Sequence, residues 1–174
     1  MNEVIKTILS RRSVRSFTNE MVPKEMIEEI VNAGQYAPSA MNSQSPIILA
    51  ITRKDIIERL SKLNAEVLGT ANFDPFFGAP AVLVVLAERN APSPVYDGSL
   101  VMGNMMIAAT SLGLGSCWIH RAREVFNSLE GKQLLRELGI EGDYEGIGNC
   151  IIGFPSEEAP EAMPRKDHYI YYID

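Results

Sequence analysis

The sequence predicts an α+β domain of three layers, with helices on both sides of one sheet. Three observations carry that reading. Two continuous apolar runs, Ala81–Ala87 and Ile147–Phe154, have the length and composition of buried strands. Two stretches, residues 23–34 and 54–69, repeat apolar residues at helical spacing. Strands and helices then intermix without the regular alternation of a parallel βαβ sheet.

In chain order, Val4–Leu9 reads as a short amphipathic helix that runs into SRRSVRSF, Ser10–Phe17. Pro23 suits the first turn of a second helix, in which Met26, Ile27, Ile30 and Val31 share a face and Gly34 with Pro38 supplies the stop. Ile47–Arg53 (IILAITR) is expected as a buried strand from its β-branching. The next helix, over Lys54–Gly69, sets Ile56, Ile57, Leu60, Leu63 and Val67 on one side. An aromatic, turn-rich loop follows and leads into the strand at Ala81.

ERNAPSPVYDG, Glu88–Gly98, reads as a loop with Asp97 as the cap of the following helix. That helix, Gly98–Leu112, is apolar nearly all round and is expected to be central or to lie in a subunit interface. Gly113–His120 (GLGSCWIH) is a glycine turn into a short strand. A polar helix around Arg123–Leu138, the strand Ile147–Phe154 and a Pro/Glu-rich loop come next. The alternating segment RKDHYIYYID, Arg165–Asp174, is expected as a terminal β segment. No repeat or linker divides the chain, so residues 1–174 are expected to form a single domain with a radius of gyration of about 16 Å.

Charge narrows the function. A formal net charge of −6 argues against a general nucleic-acid binder, which needs a broad basic face. Three arginines within five residues, Arg11, Arg12 and Arg15, therefore point to one compact anion. Their guanidinium forks donate paired hydrogen bonds that suit phosphate oxygens and carbonyl edges, and the Ser13 hydroxyl can join them. A solvated helix end is the alternative. The amino end lacks a signal-peptide pattern and no run nears the ~20 apolar residues that span a bilayer, so a cytoplasmic protein with no membrane partner is expected.

The remaining signals are weaker. APSAMNSQSP, Ala37–Pro46, is a turn-forming loop or a set of neutral donors and acceptors for the edge of a heterocycle. GLGSCWIH lacks a phosphate-loop lysine, and no strand-linked G-x-G-x-x-G occurs. Trp118 reads as core or as a ligand platform. Cys117 and Cys150 lie in apolar strands as inert packing, far apart in sequence, and with His120 and His168 they offer no expected metal site.

Taken together and in order, these pieces resemble the nitroreductase family of FMN-dependent oxidoreductases, nearly end to end. Four blocks carry the resemblance: RRSVRSF (Arg11–Phe17), APSAMNSQSP (Ala37–Pro46), GNMMIAATSLGLGSCWI (Gly103–Ile119) and GFPSEEAPEAMPRK (Gly153–Lys166). The resemblance implies a three-layer α/β/α fold around a mostly antiparallel sheet. It also implies a homodimer with FMN at each of two subunit interfaces.

By the same resemblance, Arg11, Arg12, Ser13 and Arg15 hold the phosphate and ribityl chain and reach the pyrimidine edge. Pro38, Ser39, Ala40 and Asn42, with Gln44, approach from the partner subunit. Trp118, Ile119 and His120 pass the ring near N5, mainly through backbone groups, and Arg165 with Lys166 closes on the phosphate.

The implied activity is hydride transfer from NAD(P)H through the flavin to a small conjugated acceptor such as a nitroaromatic or quinone, in two alternating half-reactions. No catalytic side chain is expected, because the flavin carries the chemistry. Flavin reduction, dehydrogenation, dehalogenation, or flavin binding without catalysis are the alternatives. Three departures from the family pattern stand out. The loop before the long helix is short, which leaves the pocket open or formed by Phe73, Phe76 and Phe77. Asp167 stands where a second basic residue is usual, and of the asparagine and lysine usual beside the ring only the asparagine has a candidate, Asn72. Arg89 and Arg121 are the candidates for reading a 2′-phosphate of NADPH.

Overall fold

A computed structural model describes residues 1–70 and 72–174. Helix α1 spans Glu3–Ser10 and α2 spans Lys24–Gln35. Strand β1 (Pro46–Ile51), α3 (Lys54–Leu68) and β2 (Ala81–Glu88) follow. Next come α4 (Pro94–Ser111), β3 (Gly115–Ile119), α5 (Ala122–Asn127), α6 (Leu129–Glu137) and β4 (Tyr144–Gly153).

The four strands form one antiparallel sheet in the order β1-β2-β4-β3. The two most apolar strands therefore pair at its centre, and β2 is buried from Ala81 to Ala87. One face packs Val82, Val84, Leu86 and Ile151 against α3, α5 and α6. The other packs Leu83, Val85, Cys150 and Ile152 against α2 and α4. Three layers result, as expected.

Helix α4 is the central one. Met102, Met105 and Ala109 are fully buried against the sheet. Gly98 is what lets the helix lie so close, since a Cβ there would fall 2.6 Å from Ile147 Cγ1. Its smallness thus serves packing within the chain, as does that of the buried Ala109.

Several expectations are corrected. Helix α4 starts at Pro94, with proline at its first turn and Ser93 as N-cap, so Asp97 is inside the helix and buried. Strand β1 is half-buried from Pro46 to Leu49, exposed at Ala50 and buried only at Ile51, because it is an edge strand with no neighbour on its outer side among the described residues. The helix expected over 123–138 breaks at Ser128, whose hydroxyl caps α6 by accepting from Gly131 N at 3.0 Å. Gly34 lies within α2, pressed between Ile48 and Met105, and does not end it. Residues 165–174 form no strand and are exposed: an alternating pattern needs a sheet edge to receive its hydrogen bonds.

Candidate functional site

The arginine-rich segment is built onto the β3 edge of the sheet. Arg11 ends α1, its N–H donating to Thr7 O at 3.0 Å. Ser13 then bridges Ser116, and Val14 N donates to Ser116 O at 3.0 Å. The chain passes over Gly115, where a Cβ would fall 2.7 Å from Val14 Cγ1, and Thr18 N finally donates to Phe154 O at 2.9 Å.

The three guanidinium groups are not equivalent. Arg12 is spent on the backbone: Nε donates to Pro160 O at 3.1 Å, and Nη1 to Leu9 O and Arg11 O at 2.8 Å each. It fastens the C-terminal segment to the end of α1. Arg11 and Arg15 have no ion-pair partner among the described residues. The Arg11 charge acts on the Cys150 thiol, beside the middle of β3, where Trp118 and Cys150 are register partners. Arg165 and Lys166 lie in the exposed segment that Arg12 ties down, with Lys166 Nζ 5.5 Å from the centre of the Tyr169 ring.

The second block sits at the opposite edge, leading into β1. It is a strained loop held from inside. Met41, Asn42 and Gln44 all have left-handed backbones, at φ 54°, 54° and 50°. Asp97 Oδ1 accepts from Ala40 N at 3.0 Å and Oδ2 from Ser43 Oγ at 3.4 Å, while Ser39 Oγ accepts from Gln44 N at 3.0 Å. Pro38, Ser39, Asn42 and Gln44 face a cleft of about 700 Å³ shared with Asn32 and Tyr36 of the α2 end. No charged side chain lines it.

The turn after β3 is fixed by two buried amides. Asn64 Nδ2 donates to His120 O at 2.9 Å and Asn149 Nδ2 to Ile119 O at 3.5 Å. Arg121 is left-handed at φ 76°, and its Nη1 donates to Glu124 Oε1 at 2.8 Å. Burial pushes the Glu124 carboxyl up, but the Arg121 hydrogen bond, a backbone N–H and the Arg121 and His120 charges outweigh it and leave the group below the usual range. Trp118 packs over Gly148 with Nε1 buried and unpartnered among the described residues.

The structure thus brings Arg11, Ser13 and Arg15 to the same edge as Trp118, Ile119 and His120. It keeps Pro38, Ser39, Ala40, Asn42 and Gln44 about 14 Å or more away across four strands. Phe76 is buried and forms part of the wall of a groove, whereas the exposed Phe73 meets Phe77 edge-on at 5.4 Å. Asn72 and Phe73 line a separate 880 Å³ groove along α3. Arg121 is held by Glu124, and Arg89 pairs with Asp143 at 3.1 Å, so neither side chain is left unpaired for a 2′-phosphate. Asp97 and Asn64 carry functions that sequence reasoning missed. For Asn64 the signal was present: a lone amide four residues after Leu60, on the apolar face of its helix.

Comparison with known proteins agrees with this architecture. The Nitroreductase family model matches residues 8–154. A protein from Archaeoglobus fulgidus, named provisionally as an NADH dehydrogenase/NAD(P)H nitroreductase, is 30% identical over 91% of this chain and 88% of its own. An FMN reductase [NAD(P)H] from Bacillus subtilis is 26% identical over 98% of this chain and 76% of its own. Among solved structures, a nitroreductase with bound FMN from Bacteroides fragilis superposes with a TM-score of 0.92 at 27% identity, covering all of both chains.

Proposed function

The chain belongs to the nitroreductase family, and on that premise we propose that it is an FMN-dependent oxidoreductase drawing hydride from NAD(P)H. The supporting observation is the pair of unmatched guanidinium groups, Arg11 and Arg15, beside the Ser13 hydroxyl on the β3 edge. That donor set suits a phosphate and an electron-poor ring: two fixed cations for an anion that would be very costly to desolvate alone. Arg165 lies five residues beyond the anchored Pro160 carbonyl, a span of at most about 18 Å, and can close on the same anion. Arg12 serves by fastening that segment.

When bound, FMN would supply the redox chemistry, accepting hydride and passing it to a small conjugated acceptor such as a nitroaromatic or quinone. This chain's residues bind and orient. Arg11 and Arg15 neutralise charge, the neutral loop Pro38–Gln44 reads polar edges, and the turn Trp118–His120 offers backbone groups to the ring.

The opposite placement of the two blocks carries a second part of the proposal. Within one chain the cationic edge and the neutral loop stand at opposite edges of the sheet, whereas two copies can bring one of each to the same ligand. Exposed Val4, Ile5, Ile8 and Leu9 on α1 and Tyr169–Ile173 at the C-terminus supply apolar surface for such a homodimer. Sedimentation as a monomer at micromolar concentration with FMN retained would refute the shared site.

The primary test is the visible spectrum of the purified protein, before and after anaerobic NADH or NADPH. Yellow protein that bleaches supports the reading; colourless protein that takes up no FMN overturns it. Likeness to an FMN reductase favours free flavin as the alternative acceptor. A rate that depends on added free flavin, but not on nitroaromatics or quinones, would select that alternative.

A further inference from the structure

Asn64 is 1% exposed within α3. Its Nδ2 donates to His120 O, while its Oδ1 is buried with no partner among the described residues. Asn149 on β4 repeats the arrangement one residue earlier, with Nδ2 on Ile119 O and an unpartnered Oδ1. An unsatisfied buried acceptor costs stability, so packing alone would favour an apolar residue at either place. The two amides instead fix consecutive carbonyls at the end of β3 from two different elements.

Peptide geometry sets the consequence. In a trans peptide the carbonyl and the following N–H point in opposite directions, and no cis bond occurs among the described residues. Asn64 draws the His120 carbonyl toward α3, so the Arg121 N–H is turned away from α3. That N–H has no acceptor among the described residues. Arg121 is also held by its left-handed backbone and by Glu124. A strained residue clamped on both sides presents one fixed donor, the kind of group that functional sites retain despite its cost.

We propose that Asn64 is a positioning residue for the flavin: by holding the His120 carbonyl, it presents the Arg121 N–H as a preset donor to the polar edge of the ring. This rests on the FMN reading above and extends it to a residue outside all four sequence blocks. A donor already in place costs no reorganisation when charge shifts onto the ring.

The test is hydrogen exchange of the Arg121 amide in ¹⁵N-arginine protein, with FMN bound and after its removal. FMN should slow exchange about fivefold or more, the effect of one ordinary hydrogen bond. In Asn64→Leu, similar in size but without a donor, that protection should vanish while FMN stays bound and the Arg11 amide is unchanged. In Asn64→Asp, protection should return as pH falls, because only the protonated acid can donate to the carbonyl. A packing role would give no such rescue.

Bound FMN with an Arg121 amide that exchanges equally in its absence overturns the proposal and leaves the flavin reading standing, whether or not the variants fold. Protection that persists in Asn64→Leu overturns it too. Failure of the wild-type chain to bind FMN at all removes the flavin reading, and this proposal with it.

Discussion

The buried carboxylate of Asp97, in the first turn of α4, accepts the backbone N–H of Ala40 at 3.0 Å across 57 positions of sequence. Three non-glycine residues of the loop that follows hold left-handed backbones, which local preference alone would not sustain. Asp97→Ala removes the acceptor and leaves the Ala40 donor unpaired. It should lower unfolding stability by about 2 kcal/mol in urea titrations at fixed protein concentration and speed exchange of the Ala40 amide.

The arginines should separate by role. Arg11→Ala and Arg15→Ala should each weaken FMN about ten- to a hundredfold in fluorescence titrations, as expected for a lost charge-assisted hydrogen bond. Arg12→Ala should act first on the segment it fastens, and limited proteolysis should cut faster beyond Pro160. If Arg11→Ala binds FMN like the wild type, the charge trap is misplaced.

Both cysteines should be silent in the folded protein. Burial, reinforced by Cys117 and opposed by Arg11, pushes the Cys150 thiol up to about 12. Only about one thiol in ten thousand would then be ionised at pH 8. Cys117 is sterically closed at 1% exposure. A disulfide reagent should label neither until denaturant is added; rapid labelling of native protein would contradict the packing.

Glu124 contributes to the acid side of the stability curve with a definite sign. Its folded value lies below the ordinary 4.5, so the stability that its ionised form contributes is present above the unfolded value. That contribution is lost as pH falls through the lower folded value. Glu124→Gln should therefore flatten the fall in melting temperature below pH 4.5, with little change in slope above it.

Gly98→Ala tests the seat of α4. The new methyl would meet Ile147 Cγ1 at 2.6 Å, and overpacking of this kind costs about 1–3 kcal/mol. The cost should appear in denaturant titration at fixed protein concentration, since the glycine packs directly on the sheet.

Local patterns in the chain determined a good deal. Periodicity of 3.6 set α2 and α3, and uninterrupted apolar runs set the central strands β2 and β4, because burial on one side or both is written in neighbouring residues. Motif blocks in order named the family. Only the tertiary structure decided what reaches across the chain. It placed Asp97 under the loop at Ala40, spent Arg12 on the Pro160 carbonyl, and turned Asn64 onto His120. It left the alternating tail unpaired and set the two polar blocks on opposite edges of the sheet. A hydrogen bond between residues tens of positions apart leaves no periodic trace in either segment, so its partners become known only once the sheet order has brought them together.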